Sequence, residues 1–157
     1  MGLRLFIHGL ESNNQGTKAV YFREHFPGML TPNFPGSLDE RMATLGALLS
    51  GKSDMVLVGS SFGGLMASMF AMEEEQRMKR LILLAPAINL MEFSPYRERT
   101  LHLPVHLYHG RQDDVIPLEE VRRVARQVFS DLTFHAVDDD HYLHKTFEKI
   151  DWDALLR

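Results

Sequence analysis

The sequence predicts an α/β protein built on a mostly or wholly parallel six-stranded sheet with helices on both faces. Three observations carry this. Short apolar runs alternate with amphipathic stretches along the whole chain. The runs are apolar at successive positions, as in strands covered on both sides. Several end directly in glycine or polar turn residues. Such alternation implies βαβ units with right-handed crossovers.

Taken in order, Leu3–Ile7 reads as the first strand and ends at His8-Gly9, Thr17–Phe26 as a helix, and Gly28–Thr31 as a short second strand. Leu38–Leu49 is helical because Met42, Leu45, Leu48 and Leu49 recur at helical spacing; Ser37 is placed as its N-cap, with Glu40 three residues on to complete a capping box. Asp54–Val58 is the third strand and Leu65–Gln76 the helix after it, closing in the charged run "EEEQRMKR". Leu81–Ala85 and Val105–Tyr108 are strands, Leu118–Val128 a helix, Thr133–Val137 the sixth strand and His144–Leu156 a final helix. No repeat, linker or low-complexity segment divides the chain, so residues 1–157 read as one domain.

Composition narrows the function classes. A length of 157 residues, 45% hydrophobic and 24% charged, suits one globular core. The formal charge of −4 argues against a nucleic-acid partner. With no cysteine, disulfides, thiolate nucleophiles and zinc–thiolate sites are excluded. No apolar run approaches the ~20 residues of a membrane span. The opening "MGLRLFIHGL" is interrupted by Arg4 and His8 and lacks a signal-peptide layout. The expectation is a soluble, cytoplasmic protein with no membrane span.

In parallel sheets, ligands bind outside the carboxyl ends of the strands. The third strand ends in Gly59–Gly64, "GSSFGG", which fits G-x-S-x-G with Ser61 in the serine position. A sharp strand-to-helix turn exposes such a hydroxyl, and glycines on either side relieve backbone crowding. The helix N-terminus beneath it leaves the Phe62 amide free for an oxyanion. A P-loop is excluded because no lysine follows these glycines, and no dinucleotide fingerprint is present. The plain alternative is a tight βα turn made of small residues. Ser60 is expected to face elsewhere.

A serine nucleophile needs a base and a carboxylate that orients it. Asp113 follows the fifth strand in "HGRQDDVIP", where an Asx-turn is the alternative role. His141 follows the sixth strand in "DDDHYLHK". His135 is expected within the strand and His144 solvated on the last helix. Asp138, Asp139 and Asp140 form a turn or cap cluster, one of which is a second candidate partner for His141. The order Ser61, Asp113, His141 matches nucleophile, acid and base as α/β-hydrolases arrange them. The first loop, "FIHGLESN", offers the amide of Leu10, with that of Glu11 as alternative, as a second oxyanion donor beside Phe62. His8 is read as a loop-orienting histidine.

The segments "HGLES", "TPNFPGS", "GSSFGG", "HGRQDDVIP" and "DDDHYLHK", spanning nearly the whole chain, resemble the α/β-hydrolase superfamily, in particular small single-domain serine esterases of bacterial type. The resemblance implies Ser61 as nucleophile, Asp113 as acid, His141 as base, and Leu10 and Phe62 as oxyanion donors. It implies no metal and no cofactor. It departs from the family in lacking the two opening antiparallel-side strands, giving a trimmed order 2-1-3-4-5-6. Residues 86–104 form only a minimal cap, whose Met91, Phe93 and Tyr96 are candidates for an acyl-binding pocket, with packing under the loop as the alternative. The expected function is a serine hydrolase for carboxylic esters or thioesters, acting on a small molecule. A non-catalytic binding protein on the same fold is the second reading.

Overall fold

In the computed structural model, which describes residues 2–157, five strands form one wholly parallel sheet. They are β1 (Arg4–Ile7), β2 (Met55–Ser60), β3 (Met78–Leu84), β4 (Leu101–Gly110) and β5 (Phe129–Val137), paired in sequence order. The helices are α1 (Thr17–His25), α2 (Leu38–Leu48), α3 (Phe62–Glu73), α4 (Leu118–Val128) and the short α5 (Trp152–Leu155). Among the described residues, no helix is long and apolar enough to cross a membrane.

The expected sixth strand is the correction. Gly28–Thr31 sits beside β1, on the side the sequence predicts, but it contributes only the Leu5–Leu30 bridge. Two backbone bonds hold it: Phe6 N–H to the Leu30 carbonyl and Leu30 N–H to the Arg4 carbonyl, both 2.9 Å. Pairing cannot continue, because Pro32 has no N–H to donate and Pro35 follows three residues later.

Strand parity divides the core. Leu5, Ile7, Leu57, Leu81, Leu83, Val105 and Leu107 point to one face and pack with Leu45 of α2, Leu65 and Phe70 of α3 and Val121 and Val124 of α4. Phe6, Val56, Val58, Ile82 and Leu84 point to the other and meet Ala19 and Phe22 of α1, Phe147, Trp152 and Leu155. Helices therefore cover this second face only over β1–β3. On β4 and β5 it carries His106, Tyr108 and His135, all half-buried, with Tyr108 and His135 stacked at 4.2 Å.

The helix expected over His144–Leu156 is broken. A 3-10 turn at Phe147–Lys149 and the short α5 replace it. The Trp152 indole N–H donates to the Phe147 carbonyl at 2.9 Å, which takes the acceptor that a continuous helix would give to the amide of Asp151. Burying Trp152 against Phe22 and Phe147 is what the break accomplishes. α2, by contrast, carries the expected capping box, with Ser37 and Glu40 bonded reciprocally.

Between β2 and α3, Gly59 and Gly63 lie back to back. A Cβ on Gly59 would run into the backbone of Gly63 and Gly64, and one on Gly63 into the carbonyls of Ile7 and His8. Gly63→Ala is expected to lower stability by about 3 kcal/mol or more, because only backbone could move aside. Gly46→Ala, whose Cβ meets nothing within the exposed face of α2, is expected to raise stability by ~0.5–1 kcal/mol. Urea denaturation of both variants checks the pair.

Candidate active site

Ser61 links β2 to α3 with φ 56° and ψ −115°, a left-handed conformation that a non-glycine residue adopts only under constraint. The constraint is visible in its backbone bonds. Its N–H donates to the Leu84 carbonyl at 2.9 Å, and its own carbonyl accepts from Gly64, Leu65 and Ala87. α3 starts at Phe62, three residues earlier than the sequence suggests, which brings its N-terminus directly under the serine.

Three side chains that are far apart in sequence meet here. His141 Nε2 lies 3.1 Å from Ser61 Oγ, and His141 Nδ1 lies 2.7 Å from Asp113 Oδ2. Asp113 fills both roles considered for it. Oδ1 accepts the amides of Val115 (2.9 Å) and Ile116 (2.7 Å), which is an Asx-type turn, and this leaves Oδ2 turned to His141. None of Asp138, Asp139 and Asp140 hydrogen-bonds the His141 ring.

Asp139 has a different task. Buried, it accepts amides from Asp140 at Oδ1 and from Lys145 and Thr146 at Oδ2, at 2.8–2.9 Å. Its backbone carbonyl takes Gln112 N–H at 3.0 Å, so the loops bearing Asp113 and His141 are laced together. Burial works against its charge, but the bonds from Thr146, Asp140 and Lys145 outweigh that and hold its carboxyl below the ordinary range. His144 is not on a helix. It is exposed and bonded to Asp140 at 2.6 Å.

The first loop is held by His8. The Phe34 amide donates to His8 Nε2 at 2.9 Å, so Nδ1 carries the proton and donates to the Gly9 carbonyl at 2.8 Å. Burial is the main cause that holds His8 below the usual histidine range. A Cβ at Gly9 would lie 3.5 Å from Ser61 Cβ, an ordinary van der Waals contact, so the approach of this loop does not require glycine. Among the described residues, the amides of Leu10 and Phe62 meet no protein acceptor, as oxyanion donors require, and the same is true of Glu11.

A second histidine, His109, was not singled out by the sequence. Fully buried, its Nε2 lies 2.8 Å from the Ile116 carbonyl and 3.2 Å from Asp113 Oδ2. Burial lowers its affinity for a second proton.

A cavity of about 750 Å³ opens over Ser61 and His141. Its apolar walls come from Leu10, Leu90, Ile116, Tyr142, Leu143 and Phe147. Ser60 also borders it, contrary to expectation. The three residues proposed for an acyl pocket do not line it. Phe93 is fully buried in the core with Tyr96 stacked on it at 5.5 Å, and Met91 is 84% exposed. The packing alternative holds for Phe93 and Tyr96 because the 3-10 turn Met91–Tyr96 folds back on α3 instead of projecting over the site. Among the described residues, no cluster of histidine and carboxylate side chains is arranged to hold a metal.

A model of the family described as alpha/beta hydrolase fold matches residues 36–103, a stretch that holds Ser61 and stops short of Asp113 and His141. No curated protein matches the sequence. Solved structures match over almost the whole chain. A putative hydrolase from Agrobacterium vitis has TM-score 0.82 at 17% identity, over 99% of this chain and 88% of its own. Est1E from Butyrivibrio proteoclasticus has TM-score 0.77 at 19% identity, over 98% and 85%. An alpha-beta serine hydrolase homologue from Coxiella burnetii has TM-score 0.78 at 20% identity, over 99% and 84%. The chain has the alpha/beta hydrolase fold.

Asp139→Asn removes acceptors from the His141 loop and is expected to cost about 1–3 kcal/mol at neutral pH. A depressed carboxyl contributes stability above its unfolded value of 3.8 and loses it as pH falls through the lower folded value. The melting-temperature gap between wild type and variant should therefore be widest near pH 7 and close as pH drops below 3.8. A gap independent of pH would remove the charge from the explanation.

Proposed function

We propose that the chain is a serine hydrolase that cleaves carboxylic esters or thioesters through an acyl-enzyme on Ser61. The observation that carries this is the continuous relay from Ser61 Oγ to His141 Nε2 and from His141 Nδ1 to Asp113 Oδ2, at 3.1 and 2.7 Å. A binding protein has no need of such a relay. Est1E, a structural relative, has been solved with ferulic acid bound, a carboxylic acid of the kind that ester cleavage releases.

Ser61 Oγ attacks the carbonyl carbon as its proton passes to His141 Nε2. Asp113 Oδ2 accepts the Nδ1–H and stabilises the imidazolium that forms. The carbonyl oxygen gains negative charge and is held by the amides of Leu10 and Phe62. Each such donor is worth on the order of 3 kcal/mol in the barrier. The C–O or C–S bond breaks, His141 returns the proton to the leaving alcohol or thiol, and water deacylates the serine by the same route. The apolar walls around Leu90, Ile116 and Phe147 suit the acyl or alcohol portion of the substrate. We place the whole reaction in a single domain, residues 1–157, with the short 86–104 segment beside the cavity in place of a cap domain.

Ser61→Ala is expected to lower ester turnover by ~10³-fold or more. A fluorophosphonate probe should label Ser61, with labelling lost in His141→Ala. Asp113→Asn should be severely impaired and Asp114→Asn close to wild type. Near-wild-type turnover in clean Ser61→Ala protein would overturn the assignment and leave the non-catalytic binding reading.

A further inference from the structure

Arg41 sits in the first turn of α2 and is 5% exposed. Among the described residues it makes no ion pair. Its Nε donates to the Gly36 carbonyl at 2.9 Å and one terminal nitrogen reaches the Leu10 carbonyl at 3.5 Å. The other terminal nitrogen is buried and bonded to nothing. The guanidinium carbon lies 5.4 Å from the centre of the Phe62 ring.

This is a costly arrangement. A buried cation without a counter-charge is unfavourable, and a cation near a helix N-terminus opposes the macrodipole as well. A neutral side chain would avoid both costs. What sets the site apart is where the guanidinium reaches. It touches Leu10 and Phe62, the two residues whose amides would bind the oxyanion, one in the loop after β1 and the other at the start of α3.

We infer that Arg41 is a positioning residue of the oxyanion site, holding the Leu10 loop and the Phe62 ring in place and supplying the buried positive charge that the tetrahedral oxyanion balances. This rests on the Ser61 reading above. The missing counter-charge is then the one that develops on the substrate oxygen during attack. The field is already in place before the substrate arrives, so it favours the charged intermediate over the neutral ester.

The test compares wild type, Arg41→Gln and Arg41→Lys using a neutral ester and an alkyl boronic acid, which forms a tetrahedral anion on an activated serine. Arg41→Gln is expected to lower kcat by ~10–100-fold with KM within ~3-fold, and to weaken boronate binding by about the same factor as kcat. Arg41→Lys keeps the charge but not the forked contacts to the Gly36 and Leu10 carbonyls, so it should lose clearly less than Arg41→Gln in both kcat and boronate affinity. A purely structural arginine would give equal losses in the two variants, or leave boronate affinity unchanged while KM rises, and either result overturns the inference. If Arg41→Gln fails to fold, Arg41→Met keeps the packing of the aliphatic stem and removes the charge, with the same expectation as Gln. Fluorophosphonate labelling of wild-type Ser61 separates the two levels. A labelled wild type with an unimpaired Arg41→Gln removes only the Arg41 role, whereas an unlabelled wild type removes the serine reading and this inference with it.

Discussion

The backbone of Ser61 is the constraint on which the site depends. A left-handed serine costs ~1–3 kcal/mol and persists only where the surroundings over-determine it. Here its N–H is fixed to β3 through Leu84, and its carbonyl is gripped by Gly64, Leu65 and Ala87. The Ala87 bond also anchors the start of the segment that follows β3, so one residue ties β2, β3 and α3 to one another. Gly59 and Gly63 make this possible by letting α3 settle against β1 and β2 with no side chain between them. The direction of the hydroxyl is thus set by the sheet itself.

The loops that carry Asp113 and His141 are stiffened in another way, by polar groups turned inward. Asp113 spends one oxygen on its own turn and presents the other, and Asp139 closes the His141 loop with three amides. Among the described residues, the buried polar side chains are those of His8, Arg41, Ser68, His109, Asp139 and His141. Only Ser68, bonded to the Gly64 carbonyl within α3, lies away from the loops at the carboxyl ends of the strands. Buried polarity is expensive unless paired, and its concentration here marks these loops off from an otherwise apolar core. Two of these residues keep a buried nitrogen without a hydrogen-bond partner, His109 at Nδ1 and Arg41 at one terminal nitrogen.

The sheet edge is trimmed at one side and bare at the other. Beside β1 the chain supplies a single bridge because prolines stop it, and beyond β3 the second face ends in a histidine–tyrosine surface without a helix. Neither feature reaches the site. β2, β3, β4 and β5, the strands that position Ser61, Asp113 and His141, keep full pairing at their carboxyl ends. What has been shortened is the periphery of the fold.

Local chemistry made much of this legible in advance. The parallel α/β class, the helix Leu118–Val128, the Ser37–Glu40 cap and the placing of Ser61, Asp113 and His141 after separate strands all follow from period, capping and turn residues, which act over a few neighbours. The sequence also placed His8 correctly as an orienting residue, because a histidine beside a glycine at a strand end has backbone within reach. Tertiary structure alone decided the rest. Gly28–Thr31 failed as a strand because pairing needs a run of donors against a particular neighbour. His144–Leu156 broke because burying Trp152 outweighed helix continuity. Met91, Phe93 and Tyr96 turned to the core or to solvent, and the cavity drew its walls from Leu90, Ile116, Tyr142, Leu143 and Phe147 instead. Arg41 and His109 carried no local signal, whereas Asp139 belongs to the turn or cap cluster that the sequence offered and bonds the amides of Asp140, Lys145 and Thr146 in its own loop.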